Sequence, residues 1–527
     1  MLIQPDTVIK LLHNCPLDKT YDHTLFFASA DAQVSYFTSL EKHNLTKQSY
    51  QRYDRGWLTI QVAAEELYDC NYLMFRNSAF GTKWFYAFVT SVEYVNNVTS
   101  RVKYELDVMQ TWFFDYTLGH CFVEREHALV DIAGTNTVPE NFELGDYVSS
   151  SFDAPMSEEG RPILGSKSIV VAATFDKTGT DTTGGIYSGI YSGLIYNVFD
   201  GTTDGMIEAS EFILNNAKKG DGIVSVFMMP TAFVGEILDP AKVYDFAFNK
   251  NANPYGFTPH NDKLFTYPYN FLYVSNLQGN SAVFPFEYFS GGCEFVLAGD
   301  MSCNPSVVLA PKNYKGVTVN YDEKLVLTGF PQCAYATDTF RAWLAQNATS
   351  LVTSALGIGG QTALAQGRYT QAWNSPQISY EASQLMGGAM ALSLAANVAS
   401  TMNEVYRHST MPDQAHTGTG STSMAALGLM NFALMQKHIR DEYARMIDEY
   451  FDMFGYATHR VKVPNRSSRP HWNYIKTVGC VLTGSIPADD TAKICAIYDK
   501  GITFWKKGSE VGNYSLDNRP AGGGTIV

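Results

Sequence analysis

A mainly β protein with some α-helix is the fold class this sequence predicts, on three observations. Aromatic residues make up 13% of the chain, with 32 Tyr and 32 Phe, and such side chains favour the pleated, half-buried surface of a sheet. The 42 glycines supply many turns, as a β-rich chain requires and a helical bundle does not. Arg101 to Val108 alternates strictly, with Val102, Tyr104, Leu106 and Val108 on one face and Arg101, Lys103, Glu105 and Asp107 on the other. That two-residue period is the mark of a half-buried antiparallel strand.

Taken in order, the first 150 residues read as strands and hairpins, one segment of the fold. The opening MLIQPDTVIKLLHNC has no basic region followed by an apolar stretch, so no secretion signal is expected. Lys83 to Tyr94 is a second β-prone run, and Asn96-Asn97 supplies the reversal into Arg101–Val108, so the two should form a long hairpin. From about Ser149 the texture changes to Gly, Thr, Ser and Asp, and turn-rich β structure punctuated by Pro268, Pro285, Pro305 and Pro311 continues to about Phe330. Residues 151–335 are therefore expected to be an inserted outer β domain. Thr337 or Asp338 then caps a short helix, TFRAWLAQN. Far downstream, Lys437 to Phe454 places Ile439, Tyr443, Met446, Ile447, Tyr450 and Phe454 on one helical face, with Asp441–Arg445 and Arg445–Glu449 as i,i+4 pairs. Residues 437–527 complete the fold after this helix.

Between those two helices lies the least ordinary part of the chain. Ala342 to Gln436 runs 95 residues with only five formal charges, Arg368, Glu381, Glu404, Arg407 and Asp413, where charged residues form 17% of the whole. The region 336–436 is thus expected to be a short helix and a long apolar loop, shielded in one state and facing lipid in another. Its apolar side chains are Leu351, Leu356, Ile358, Leu364, Leu385, Met386, Met390, Leu392, Leu394, Val398, Met424, Leu427, Leu429, Met430 and Phe432. Small residues recur four apart in Ala355-Gly359-Ala363-Gly367 and Ser383-Gly387-Ala391-Ala395-Ala399, a spacing that lets helices approach closely in lipid. No uninterrupted run of strongly apolar residues reaches the length of a constitutive transmembrane helix, so membrane contact would be conditional and cooperative. A mobile Ala/Gly/Ser loop, or a helical hairpin in a core, would have the same composition.

A net charge of −14 and a pI of about 5.3 argue against a protein that grips nucleic acid, because phosphate binding needs clustered Lys and Arg. They leave room for a wall past which double-stranded DNA slides without tight binding. Cys15, Cys70, Cys121, Cys293, Cys303, Cys333, Cys480 and Cys495 form no C-x-x-C pair and no zinc spacing, and read as reduced, buried small residues. Enzyme signals are weak. Gly160 to Ser168 approaches a phosphate loop, but Ser166 stands where Lys is needed and IVVAA follows in place of a helix. His120, Cys121, Glu124, Glu126 and His127 would split between the faces of a strand, as an ordinary polar edge. Glu158-Glu159 and Asp489-Asp490 are adjacent pairs that do not face one another across a cleft, and Asp489-Asp490 suits the cap of a helix from Thr491 to Tyr498. No catalytic residue, cofactor or metal is expected.

Several strings carry a family resemblance: TKWFYAFVTSVEY (Thr82 to Tyr94), ELDVMQTWFFD (Glu105 to Asp115), FVEREH (Phe122 to His127), THRVKVPN (Thr458 to Asn465), WNYIKTVGC (Trp472 to Cys480), YDKGITFW (Tyr498 to Trp505) and VGNYSLDN (Val511 to Asn518). In order and spacing the chain resembles the tail-knob, or distal tail-tube, proteins of the smallest short-tailed phages, the picovirus podophages of Gram-positive hosts. The resemblance implies a structural virion protein at the tip of the tail, assembled in the host cytoplasm as a homohexamer. In it the N- and C-terminal segments would combine into β-barrel-like tube domains. It also implies contacts with other tail proteins, such as the lower collar, proximal tail and tip proteins. Loops would plug the lumen and then penetrate the host cell membrane as DNA is ejected. The middle region from Ser149 to Phe330 carries no such string, and the loop resembles the family's only in composition and position. A receptor-binding or cell-wall-degrading tail component is the alternative reading, and a secreted pore-forming toxin a third.

Overall fold

The computed structural model describes residues 6–48, 56–78, 81–155, 163–178, 186–187, 190–191, 194–216, 223–234, 243–301, 305–330, 332–334 and 430–520. The chain divides into two compact units, the first comprising Met1–Tyr147, Tyr255–Tyr269 and Ile439–Val527, the second Val148–Pro254 and Asn270–His438. Both are mostly β.

The first unit is built on a six-stranded sheet in the order Glu41–Gln48, Thr7–His13, Cys70–Arg76, Phe85–Asn96, Thr99–Leu106, Trp57–Ile60. The long hairpin is present: Phe85–Asn96 pairs antiparallel with Thr99–Leu106, with Val92 opposite Val102 and Asn96 opposite Thr99. Val102 and Tyr104 are buried while Arg101, Lys103 and Glu105 are exposed, as the alternation requires. The strand ends two residues before Val108, because Asp107 turns inward. Its Oδ1 accepts the Gln110 N–H at 3.1 Å and caps the helix Val108–Thr111, and its Oδ2 accepts the Tyr72 hydroxyl at 2.7 Å.

A five-stranded sheet in the same unit runs His23–Leu25, Ile502–Trp505, Trp472–Val478, Cys121–Glu126, Tyr456–Lys462. Its one parallel pairing sets His23 opposite Thr503 and Leu25 opposite Trp505, so the two ends of the sequence share a sheet. They also share a core, in which Ile9, Leu73, Phe75 and Val102 pack with Ile475, Ile494, Tyr498 and Phe504. Trp472 and Trp505 lie with ring centroids 5.0 Å apart, both fully buried.

The helix expected from Lys437 begins later. Lys437 belongs to the strand Ala433–Ile439, Arg440 is still extended, and the helix is Asp441–Phe454 with two acidic residues in its first turn. Ala444, Ile447 and Phe451 are its buried apolar positions, whereas Met446 is 56% exposed. Asp441 accepts the Gly256 N–H at 3.0 Å, and the Arg445 guanidinium lies 4.3 Å from the Phe257 ring centroid. Gly455 ends the helix at φ 64°, ψ −153°, where a Cβ would lie 2.2 Å from the Glu126 carbonyl oxygen. A second helix, Ala488–Lys500, starts before Asp489, follows Pro487 and carries Asp489 and Asp490 in its first turn.

The second unit contains three main sheets. One runs Tyr147–Asp153, Ala433–Ile439, Asn270–Ser275, Ser281–Phe284, and another Ile195–Asp200, Lys167–Ala173, Ile223–Pro230, Gln332–Ala334. The third runs Val243–Phe248, Phe289–Asp300, Ser306–Tyr314, Val317–Val319, and Leu325–Leu327 also pairs with Ser306–Tyr314. Their inner faces form one core around Phe284, Phe295, Leu309, Tyr314 and Leu327.

Candidate functional site

Two features invite a functional reading: the junction in the first unit where distant segments are tied together by buried polar groups, and the charge-poor segment. At the junction Glu140 is the central acceptor. The Lys263 ammonium lies 2.5 Å from it with both side chains 2% exposed, Arg125 pairs with its other oxygen, and the Ala457 N–H donates to it at 3.1 Å. Burial, with the Arg125 charge nearby, pulls the Lys263 ammonium down from its ordinary range. Alongside, Asp131 accepts the Tyr456 hydroxyl at 2.8 Å and pairs with Arg469 at 3.5 Å. These bonds join the stretch 125–140 to Tyr255–Tyr269 and to the segment after the Asp441–Phe454 helix.

His127 sits in the same junction with both ring nitrogens engaged. Its Nδ1 accepts the Tyr474 N–H at 2.7 Å, and its Nε2–H donates to the Asp452 carbonyl at 3.0 Å. That arrangement requires the neutral ring, and burial beside Arg469 lowers its pKa to about 3. His127 therefore positions backbone and does not transfer protons. Glu124 pairs with Lys476 at 2.8 Å, Glu126 with Lys462 and with the Asn465 N–H, so the carboxylates of the FVEREH string hold neighbouring strands and do not converge on one point.

Among the described residues, one group of ligand-type side chains, His260, Asp448 and Asp452, has its donor atoms within 4.8 Å of one another. Its carboxylates already accept several N–H groups. Asp448 accepts from the His260 and Asn261 amides at 2.9 and 3.1 Å, and Asp452 from His260 Nδ1 at 2.8 Å and Asn261 Nδ2 at 3.0 Å. The group clamps the 255–269 excursion onto the helix Asp441–Phe454, and a cation would have to displace those donors. Asp490 is likewise engaged, accepting the Trp112 indole N–H at 2.9 Å. Lys167 to Ala173, after the phosphate-loop-like string, is a strand.

Of the apolar positions singled out in the charge-poor segment, Leu351, Leu356, Ile358, Leu364, Leu385, Met386, Met390, Leu392, Leu394, Val398, Met424, Leu427 and Leu429 lie outside the described residues, as does the helix TFRAWLAQN. Met430 and Phe432 are described, each 1% exposed in the core of the second unit. Met430 and Phe432 thus belong to the body of the protein, ahead of the boundary set at Gln436. Among the described residues no helix is long and apolar enough to cross a membrane. Sequence reasoning missed Glu140, Lys263, Asp131 and Arg469, whose only local signal is charge within an aromatic-rich stretch.

Ionisable groups engaged in tying remote segments into one sheet-built body define a scaffold, a protein whose work is to hold shape. Residues 240–519, more than half of the chain, match the family described as Bacillus phage phi29, Tail knob protein gp9, C-terminal domain, and residues 5–117 match the Caudoviral major tail protein N-terminus. The chain belongs to the tail knob protein gp9 family, and is a structural protein of the phage virion located at the tail. It is 26% identical to tail knob protein gp9 of Bacillus phage PZA and 25% identical to that of Bacillus phage phi29, each over 97% of this chain and 98% of the relative. In structure it is similar to the bacteriophage C1 tail knob protein, gp12, with a TM-score of 0.63 at 15% identity over 97% of this chain and 99% of that one.

Proposed function

We propose that six copies of this chain form the distal ring of a short phage tail, around a channel that conducts the genome, in contact with other tail proteins. Residues between 342 and 429 close that channel in the virion and then leave it to enter the host membrane as DNA is ejected. The observation that carries this reading is how the charge-poor segment is rooted. The strand Gln332–Ala334 precedes it and the strand Ala433–Ile439 follows it, each paired within a sheet of the second unit. A segment rooted at both ends in ordered sheet can change its surroundings without unfolding the body that carries it.

Energetics favour a conditional insertion. A Leu, Ile or Phe contributes roughly −0.3 to −0.6 kcal/mol and a central charge costs about 2.5 to 3.5 kcal/mol, so blocks as mixed as Leu385 to Met402 come out near balance singly. Several copies around one axis would shield each other's polar groups. Six copies carry a formal charge of −84, six times −14, and a wall of that sign lets duplex DNA pass without adhering. Electron microscopy of the purified protein tests the assembly. A six-fold ring with a hole wide enough for duplex DNA is expected, and a monomer or an open fibre would defeat the reading.

A further inference from the structure

Three thiols that the sequence scatters converge in the first unit. After the strand Trp472–Val478 the chain turns at Gly479, with φ 66°, and Cys480 follows. The Cys480 N–H donates to Asp499 Oδ1 at 3.1 Å, and the same oxygen accepts the Thr477 hydroxyl at 2.7 Å. Asp499 stands on the helix Ala488–Lys500 one turn after Cys495, so the carboxylate that grips the turn and the Cys495 thiol share one helix face. That bond and that helical turn bring the Cys480 and Cys495 side chains side by side, both partly exposed. Cys121, 4% exposed, opens the strand Cys121–Glu126, just after a Gly119 N–H to Val481 carbonyl bond of 2.8 Å. The three thiols with Asp499 do not close into a coordination shell, since among the described residues only the His260 group has all its donor atoms within 4.8 Å.

We propose that Cys480 and Cys495 are a reversible dithiol that closes to an intrachain disulfide by exchange with an oxidised low-molecular-weight disulfide. In the first step one protein thiolate attacks the reagent, breaking its S–S bond and releasing one small thiol. The second protein thiol then attacks the mixed disulfide at the protein sulfur and releases the second small thiol. Two protein thiols are oxidised by two electrons, the reagent is reduced to two thiols, and the two protons end on those leaving groups. The link would staple the turn that leads into the strand Leu482–Gly484 to the helix Ala488–Lys500. A tail protein leaves a reducing cytosol with its virion, so such a pair is open during assembly and closed afterwards. Burial raises both thiols above the ordinary range, so closure is slow at neutral pH and speeds up about tenfold per pH unit while thiolate is scarce.

The test uses the full chain, purified reduced, freed of reductant and incubated with oxidised glutathione at pH 8 before acid quenching and alkylation. Free thiols should fall from eight to six, and trypsin should yield residues 477–493 joined to 494–500, two hydrogens lighter than the separate peptides. The link should survive C121S, and C480S should leave Cys495 as a mixed disulfide with glutathione. The thermal midpoint should rise by a few degrees on oxidation and fall back with dithiothreitol. A link from Cys121, an intermolecular dimer, stable mixed disulfides on the unsubstituted chain, or no thiol loss unless urea is present would each overturn the proposal.

Discussion

His127 shows at the residue scale how this protein uses an ionisable side chain as a fixed backbone clamp. Its folded pKa of about 3 lies below the ordinary 6.5. Below about pH 6.5 the unfolded chain takes up a proton that the folded chain refuses, so the stability contributed by the neutral ring is complete above 6.5 and drains away as pH falls toward 3. Asp107 and Asp448, held up to about 6 by burial, act in the opposite sense, their contribution being lost as pH rises through 6. His127→Asn keeps an acceptor for the Tyr474 N–H but removes the ring N–H from the Asp452 carbonyl, which retains the Trp472 indole N–H at 2.6 Å. It should cost about 1 kcal/mol at pH 7, and its deficit should shrink by about 1.4 kcal/mol per pH unit below 6.5. Urea unfolding of both proteins from pH 7 to pH 5 checks this, and a constant deficit would mean that the ring is not held neutral. The sequence marked His127 as part of an ordinary polar edge, and its strand mates are indeed paired to lysines. Glu140 with Lys263 was not legible, because the partners are 123 residues apart and neither sits in a periodic pattern.

At the scale of elements, what could be read was whatever repeats. The two-residue alternation marked the hairpin and the helical stripe marked Ile447 as buried, but element ends depended on single side chains meeting distant partners. Asp107 cut its strand short by capping a helix against Tyr72, and the strand Ala433–Ile439 took Lys437 from the expected helix by pairing with Asn270–Ser275. The stretch Tyr255–Tyr269 looked like more of the inserted region, since nothing local reveals that Asn261 bonds Asp448. Gly455 gives the sharpest element-scale prediction. Its positive φ and the Glu126 carbonyl 2.2 Å from any added Cβ mean that Gly455→Ala must strain or shift the helix exit. A loss of about 2–4 kcal/mol is expected. Thermal denaturation decides it, and a variant as stable as the parent would show that the exit relaxes freely.

At the scale of the whole molecule, the tail-knob resemblance was legible from short strings near both ends, and every one of those strings lies in the first unit. The second unit carries none of them, so its three sheets were visible only as turn-rich β texture. Deleting 349–429, with Met430 and Phe432 retained because both fill the core, should leave a folded, soluble oligomer with unchanged circular dichroism. Full-length protein should release dye from lipid vesicles and the deletion should not. Equal leakage would remove the segment from the mechanism, and aggregation of the deletion would make it part of the core. The parallel pairing of His23–Leu25 with Ile502–Trp505 bears, finally, on biosynthesis. At about 5–20 residues per second, a ribosome that has made the first strand needs roughly 25–100 s more before its partner emerges. Until then the edge of the nascent sheet is open to other chains on the same polysome, and every truncated product keeps it open for good. Closure of this sheet thus waits on the synthesis of residues 502–505.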